Sequence, residues 1–288
     1  MTPAKEEDSV ETPVTFVRTR YVYDSYTDFW KLVELSGFPT IYVDELDASQ
    51  PGVFIVAPMN GEWRPHIDNQ AGKPRNAHLI MWNLERPSGS AGSVGQYAQA
   101  NRDLIYKRHV DEVWVSDRRL AAETELRFVV LGSDEGLGEP SERKKYQFVH
   151  MSYETPRRQT IYKQFKPEAV APNCWPPERD EVLKLSKFAL NVHQDSHPFQ
   201  EPLRFALFAA YGLPIVSETI YDSYPWSEEF MVYAHYDGLV GKMRQVLNND
   251  YERWREMGLA ARERMCGEFR FKDMVERAVT ESVGGDWR

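Results

Sequence analysis

KFALNVHQDSHPFQEPLRFALFAAYGLPIVSE, residues 187–218, decides the fold. Residues 187–192 form a short apolar run with the length of a buried strand. Residues 193–200 are polar, contain Pro198 and read as a loop. Glu201-Pro202 then signals a helix start, because proline is tolerated in the first turn, where its missing N–H costs nothing. Leu203, Leu207 and Ala210 follow at helical spacing, and Gly212 closes the helix. Residues 213–216 are a second apolar strand, with Glu218 expected just past its end. A strand, helix and strand in this order predict a parallel sheet. Acids and an arginine then gather at the carboxyl ends of the strands, where open α/β sheets bind ligands.

The same alternation runs outward in both directions. Before the opening stretch, strands are expected over 14–21, 39–43, 53–57, 77–82, 113–115, 127–131 and 146–151. Helices are expected over 29–35, capped by Asp24, Ser25 or Thr27, and over 101–109, 116–122, 157–165 and 176–185. The exits at 58–68 and 83–87 read as loops, 88–99 as a Gly/Ser-rich loop, and 168–172 as extended chain. After the opening stretch come a short strand near 232–234 and helices near 239–247, 251–266 and 271–282. Residues 132–145, with three glycines and a proline, are the best expected domain boundary. The division is therefore an acidic leader, 1–12, expected to be disordered; a first domain, 13–132; a flexible linker, 133–145; and a second domain, 146–288. The fold class is α/β, two Rossmann-like parallel-sheet domains facing across a cleft.

Bulk properties narrow the function. With 288 residues, 42% of them apolar and 13% aromatic, the chain can bury full cores. A formal net charge of −9 argues against a general nucleic-acid coat or a membrane-surface binder. Cys174 and Cys266 stand alone without zinc spacing, and neither a signal peptide nor a membrane-length apolar run is evident. The expected setting is cytoplasmic. There is no GxGxxG fingerprint, GxxxxGK[ST] loop or GxSxG elbow, which weakens dehydrogenase, kinase and serine hydrolase readings. No D-x-D stands at a strand exit to hold a divalent cation on a diphosphate, since Asp44-Glu45-Leu46-Asp47 has the wrong spacing.

Leu190-Asn191-Val192-His193, Glu201, Arg204 three residues on, and Ser217-Glu218 fourteen residues after that arginine form a pattern. It resembles the donor-binding region of GT-B glycosyltransferases of the bacterial and phage spore-coat-like or capsule-like group. The loop from Ser152 to Arg158 resembles the phosphate-side loop of the same domain, and the likeness covers roughly 145–280. Leu207 stands where larger retaining members carry a glutamate, so stereochemistry stays open. The resemblance implies a metal-independent transferase that needs no cofactor and moves a sugar from a nucleotide-sugar donor, a UDP-sugar first, to a hydroxyl acceptor. It also implies a donor site of Ser152, Arg157, Arg158, His193, Glu201, Arg204, Ser217 and Glu218.

Each of these residues has a plainer reading beside the functional one. Glu201 and Arg204 share a helix face, so they form either an i,i+3 ion pair or an anion site at a helix start. Glu218 is either a solvated acid or an acceptor for paired ribose or sugar hydroxyls. Arg157 and Arg158 are surface charge or a phosphate cradle, with one of the two facing solvent. His193 is a structural histidine or a pyrophosphate contact. An inverting transferase also needs a general base, and the strand-exit acids Glu85 and Glu62 lead Asp24, Asp68 and His66 as candidates. Trp63, Arg64 and His66 are the expected acceptor contacts, with Trp63 on a loop able to stack on a sugar or base, whereas Trp82 reads as core.

The acceptor implied is a glycan or other saccharide. A phage-type DNA glycosyltransferase acting on a hydroxymethylated base is the alternative, favoured by a basic stripe (Arg64, Lys73, Arg75, Arg86, Arg102 and their neighbours) and opposed by the acidic balance. A non-catalytic binding protein of the same fold and a nucleotide-sugar epimerase complete the alternatives.

Overall fold

The computed structural model describes residues 13–20, 26–57, 63–70, 75–84, 109–194, 198–248 and 251–284. Two sheets carry the fold. The first contains β1 (Val14–Arg18), β2 (Thr40–Tyr42), β3 (Gly52–Val56), β4 (Ala77–Asn83), β5 (Glu112–Val115) and the two-residue β6 (Arg127–Phe128), in the order β2-β1-β3-β4-β5-β6. β1 pairs in parallel with β2 and β3, and β3 with β4, Phe16 lying opposite Thr40 on one side and Ile55 on the other. β3 is buried along its whole length, as its unbroken apolar sequence requires of a strand covered on both faces. The connecting helices are α1 (Thr27–Leu35), α2 (Trp63–Gln70) and α3 (Arg118–Thr124), the last capped by Asp117, whose carboxylate accepts from the Leu120 N–H.

The second sheet runs β10-β9-β8-β7 and is parallel throughout: β7 (Tyr146–Val149), β8 (Ser186–Asn191), β9 (Ile215–Glu218) and β10 (Met231–Ala234). In sequence, the helices of this half of the chain are α4 (Pro156–Tyr162), α5 (Glu178–Lys184), α6 (Pro202–Ala210), α7 (Leu239–Asn248), α8 (Tyr251–Cys266) and α9 (Phe271–Val283). One core face is built by Phe148, Phe188, Leu190, Val216 and Val232 from the strands and by Leu239, Met243 and Val246 from α7. Each such side chain contributes about 1.5–3 kcal/mol by leaving water. Pro202 is the first residue of α6, and Gly212 follows that helix with φ +61°, a left-handed value that only glycine adopts without strain.

Contacts divide the chain into two units: residues 1–21, 38–114 and 275–288, and residues 22–37 and 115–274. Within the second unit, α1 is anchored by a buried ion pair between Asp28 and Arg179 of α5, with both oxygens engaged at 2.8 and 2.5 Å. Lys31 adds a bond to the Leu137 carbonyl at 3.0 Å.

Several expectations change. The loop expected over 58–68 contains α2, because Trp63, Ile67 and Gln70 recur at helical spacing and all three are buried. The expected strand over 127–131 shrinks to β6. Residues 133–145 are not a flexible linker: Asp134 caps a 3-10 turn over Glu135–Leu137, Leu137 is 1% exposed, and the Ser133 hydroxyl donates to the Ala206 carbonyl at 3.0 Å. β9 runs through Glu218, so this acid ends the strand and is buried instead of standing in a loop beyond it. The expected leader, the Gly/Ser loop over 88–99 and the helix over 101–109 lie outside the described residues, apart from residue 109.

Candidate active site

In the second unit the carboxyl ends of β7, β8 and β9 converge. Register sets Asn191 opposite Ser217, so the last residues of β8 and β9 lie side by side. Asn191 Nδ2 donates to Ser217 Oγ at 3.0 Å, and the Ser217 hydroxyl donates to the Glu218 carbonyl at 2.7 Å. Arg204, on the first turn of α6, donates through Nη1 to Asn191 Oδ1 at 2.6 Å, with Glu201 Oε1 3.6 Å away. A buried polar chain therefore holds one edge of the Arg204 guanidinium at the start of a helix.

Arg157, on the first turn of α4, donates from both Nη atoms to the Glu218 carboxylate at 2.5 Å each. Arg157 Nη1 also donates to the His193 carbonyl at 3.1 Å, while the His193 N–H donates to Glu218 Oε2 at 2.8 Å. The guanidinium lies 3.9 Å from the Tyr236 ring centroid, and the Tyr236 hydroxyl donates to the Arg157 carbonyl at 2.7 Å. Arg158 is buried and donates to the Val192 carbonyl at 2.8 Å and the Tyr153 carbonyl at 2.7 Å, tying the β7 and β8 exits together. The expectation that one of these arginines faces solvent is thus corrected: Arg158 is buried and Arg157 is half-buried, because carbonyls and a carboxylate converge on them.

Ser152 is buried after β7, its hydroxyl 3.4 Å from the Tyr162 hydroxyl and its carbonyl accepting from Asn173 Nδ2 at 2.9 Å. His193 is buried, with Nε2 3.1 Å from the Thr219 carbonyl oxygen. His150 lies beneath this group, 3% exposed and stacked on Tyr162 at 4.0 Å. Burial pushes its pKa down to about 4; Glu154 opposes this, while Arg158 and Arg204 reinforce it, so the ring is neutral. Among the described residues no hydrogen-bond partner meets its Nδ1.

All eight residues expected at the donor site therefore lie in one unit, around the carboxyl ends of adjacent strands. Asn191, Tyr236 and His150 belong to the same cluster; Asn191 stands in the pattern that carries the resemblance but takes no role from it, and nothing in the sequence assigns Tyr236 or His150 there. On the acceptor side, Glu62 and Glu85 lie outside the described residues, as do Asp24 and the side chain of Arg64. Trp63 is not on a loop: it is the first residue of α2 and 1% exposed, so its ring is packed inside. His66 is half-buried on the same helix, and Asp68 is held 2.8 Å from His109 Nδ1. Trp82 is core, edge-on to Trp114 at 5.5 Å. From the basic stripe, Arg75 is paired with Asp111 at 3.3 Å. Among the described residues, no three His, Cys, Asp or Glu side chains gather as a metal site would require, and no helix is long and apolar enough to cross a membrane.

A family model described as Glycosyl transferase-like matches residues 116–280. Among solved structures, HepE from Anabaena in complex with UDP and glucose is similar at TM-score 0.64 and 10% identity, over 94% of this chain and 100% of that one. TarM is similar at TM-score 0.61 and 12% identity over 92% of this chain, which spans 59% of TarM. An alpha-glucosyltransferase in complex with UDP and a 13-mer DNA is similar at TM-score 0.57 and 9% identity, over 93% of this chain and 100% of that one. No curated protein matches. At such identities the likeness is one of fold, and it makes the two-sheet α/β architecture a GT-B fold.

Proposed function

This chain belongs to the Glycosyl transferase-like family, and from that premise we propose that it moves a sugar from a nucleotide-sugar donor, a UDP-sugar, to a hydroxyl on a glycan or other saccharide, without a metal ion. The observation that carries this reading is the meeting of Arg204, the α6 start and Glu218 at the carboxyl ends of β8 and β9. In this reading the second half of the chain, 146–288, takes the donor and 13–132 takes the acceptor. UDP bound in the similar HepE and alpha-glucosyltransferase structures supports the choice of nucleotide.

As the bond from the sugar C1 to the diphosphate oxygen breaks, negative charge builds on the leaving group. Arg204 has donors beyond the one given to Asn191, and the N–H groups of the first turn of α6 point along its dipole. Both are fixed before the reaction, so they stabilise that charge with little reorganisation. Glu218 accepts a ribose hydroxyl, Glu201 orients Arg204 from 3.6 Å, and Ser152, Arg158, His193 and Ser217 shape the floor. On the acceptor side we assign the general base of an inverting transfer to Glu85 or Glu62, and acceptor contacts to Arg64 and His66. The burial of Trp63 leaves it a packing role.

Thermal unfolding with a panel of nucleoside diphosphates and nucleotide sugars tests the reading, since a ligand at a hundred times its Kd adds about 2.7 kcal/mol to the folded state. A selective rise in Tm with uridine diphosphate is expected, together with its loss in Arg204→Ala. No response to any nucleotide would sink the proposal. Transfer to hydroxymethylated DNA is the second reading, favoured by the DNA in one similar structure.

A further inference from the structure

Arg157 is committed to Glu218. Both Nη atoms hold the carboxylate at 2.5 Å, one of them also holds the His193 carbonyl, and the guanidinium face is covered by Tyr236 at 3.9 Å. The pair is withdrawn from water, with side-chain exposures of 24% for Arg157 and 7% for Glu218. A planar fork so engaged presents neither its charge nor its bidentate edge to a diphosphate. Its geometric effect is instead on the carboxylate, whose plane it fixes. A carboxylate offers about four acceptor positions. Glu218 Oε2 accepts from Arg157 Nη1 and from the His193 N–H, while Oε1 accepts from Arg157 Nη2. One position is left, and it is on Oε1.

We propose that Arg157 is a positioning residue that acts through Glu218, turning Oε1 so that it accepts one hydroxyl of the donor's ribose, while the phosphates are left to Arg204 and the α6 start. This rests on the donor reading above and departs from the expectations drawn from the sequence in two respects. Arg157 is removed from the phosphate cradle, and the carboxylate takes a single ribose hydroxyl instead of a pair. Tyr236, stacked on the guanidinium and bonded to its backbone, shares the positioning role.

Titration calorimetry on the full chain distinguishes the roles, using UMP, UDP, 2′-deoxy-UDP and 3′-deoxy-UDP as probes. Wild-type protein is expected to bind UDP and to lose roughly tenfold in affinity for one of the deoxy analogues but not the other. Arg157→Gln is expected to weaken UMP and UDP by the same factor, roughly tenfold or more, and to leave the analogue that lacks the Glu218 bond much less affected. Arg157→Lys keeps the charge without the fork and is expected to behave like Arg157→Gln. Tyr236→Leu leaves every charge in place and is expected to give the same pattern at smaller amplitude, which guards against an Arg157 variant that fails to fold. The inference is overturned if Arg157→Gln weakens UDP far more than UMP, if Arg157→Lys restores binding, or if both deoxy analogues lose affinity equally. A wild-type chain that binds none of the four probes overturns the donor reading itself, and this inference with it.

Discussion

Two buried side-chain groups in the second unit set its sensitivity to substitution and to acid. Asp28 and Arg179 face each other with almost no exposure, in bidentate contact across 151 residues of sequence. Removing Asp28 leaves the buried Arg179 with only the more distant Asp180 carboxylate, 3.8 Å away, and breaking a buried pair in this way costs about 3–5 kcal/mol. Asp28→Ala is therefore expected to lower the urea midpoint far more than Asp28→Ala with Arg179→Met, and equal losses would show that the pair does not matter as a pair. His150 behaves differently, because burial holds its pKa near 4 while an unfolded histidine titrates near 6.5. Between those values the unfolded chain binds a proton that the folded chain does not. Stability then falls as pH drops from 6.5 to 4, by about 3 kcal/mol at most, and the effect is complete below pH 4. His150→Phe keeps the stack on Tyr162 and removes the titration, so its urea midpoint should fall less between pH 7 and pH 4.5 than that of the wild-type chain. Parallel falls would refute the assignment.

At the scale of elements, helix α8 carries a glycine where propensity alone would want alanine. A Cβ on Gly258 would stand 2.5 Å from the Gly212 carbonyl oxygen and 2.5 Å from the Pro214 nitrogen, both backbone atoms of the turn between α6 and β9. Glycine to alanine inside a helix ordinarily gains about 1 kcal/mol; here Gly258→Ala is expected to lose about 1–3 kcal/mol by forcing that turn away, and a raised Tm would contradict this. The same turn carries the helix end that the sequence made legible: Pro202 and Gly212 bracket α6 because each imposes a backbone restriction that can be read without knowing any contact. Apolar runs likewise marked β3, β8 and β9. α2 was harder to see because it is polar overall, and only Trp63, Ile67 and Gln70 at helical spacing betray it. Within the cluster, the resemblance pointed to Arg204 and Glu218, whereas the partnership of Arg157 with Glu218 was not legible. It joins a helix residue and a strand-end residue 61 apart that meet only once the sheet has formed, and local pattern carries no record of that. The membership of α1 in the second unit was hidden for the same reason.

At the scale of the molecule, charge favours the saccharide acceptor over the DNA acceptor. A formal net charge of −9 repels a polyanion over the first contact distances, so DNA would need a concentrated cationic patch to bind. Arg75 of the basic stripe is already paired with Asp111, which reduces its value for such a patch. Binding through phosphate contacts falls steeply with salt because counterions are released, whereas a neutral saccharide releases none. Sugar transfer from a labelled UDP-sugar to a saccharide acceptor is therefore expected to vary by less than about twofold between 50 and 200 mM salt, and a hydroxymethylated duplex is expected to take up no label. Transfer to the duplex that is fast at 50 mM and falls by about a thousandfold at 200 mM would reverse the choice. It would mean that a local basic surface outweighs the charge of the whole chain, and that the acceptor side of this transferase is built for a polyanion.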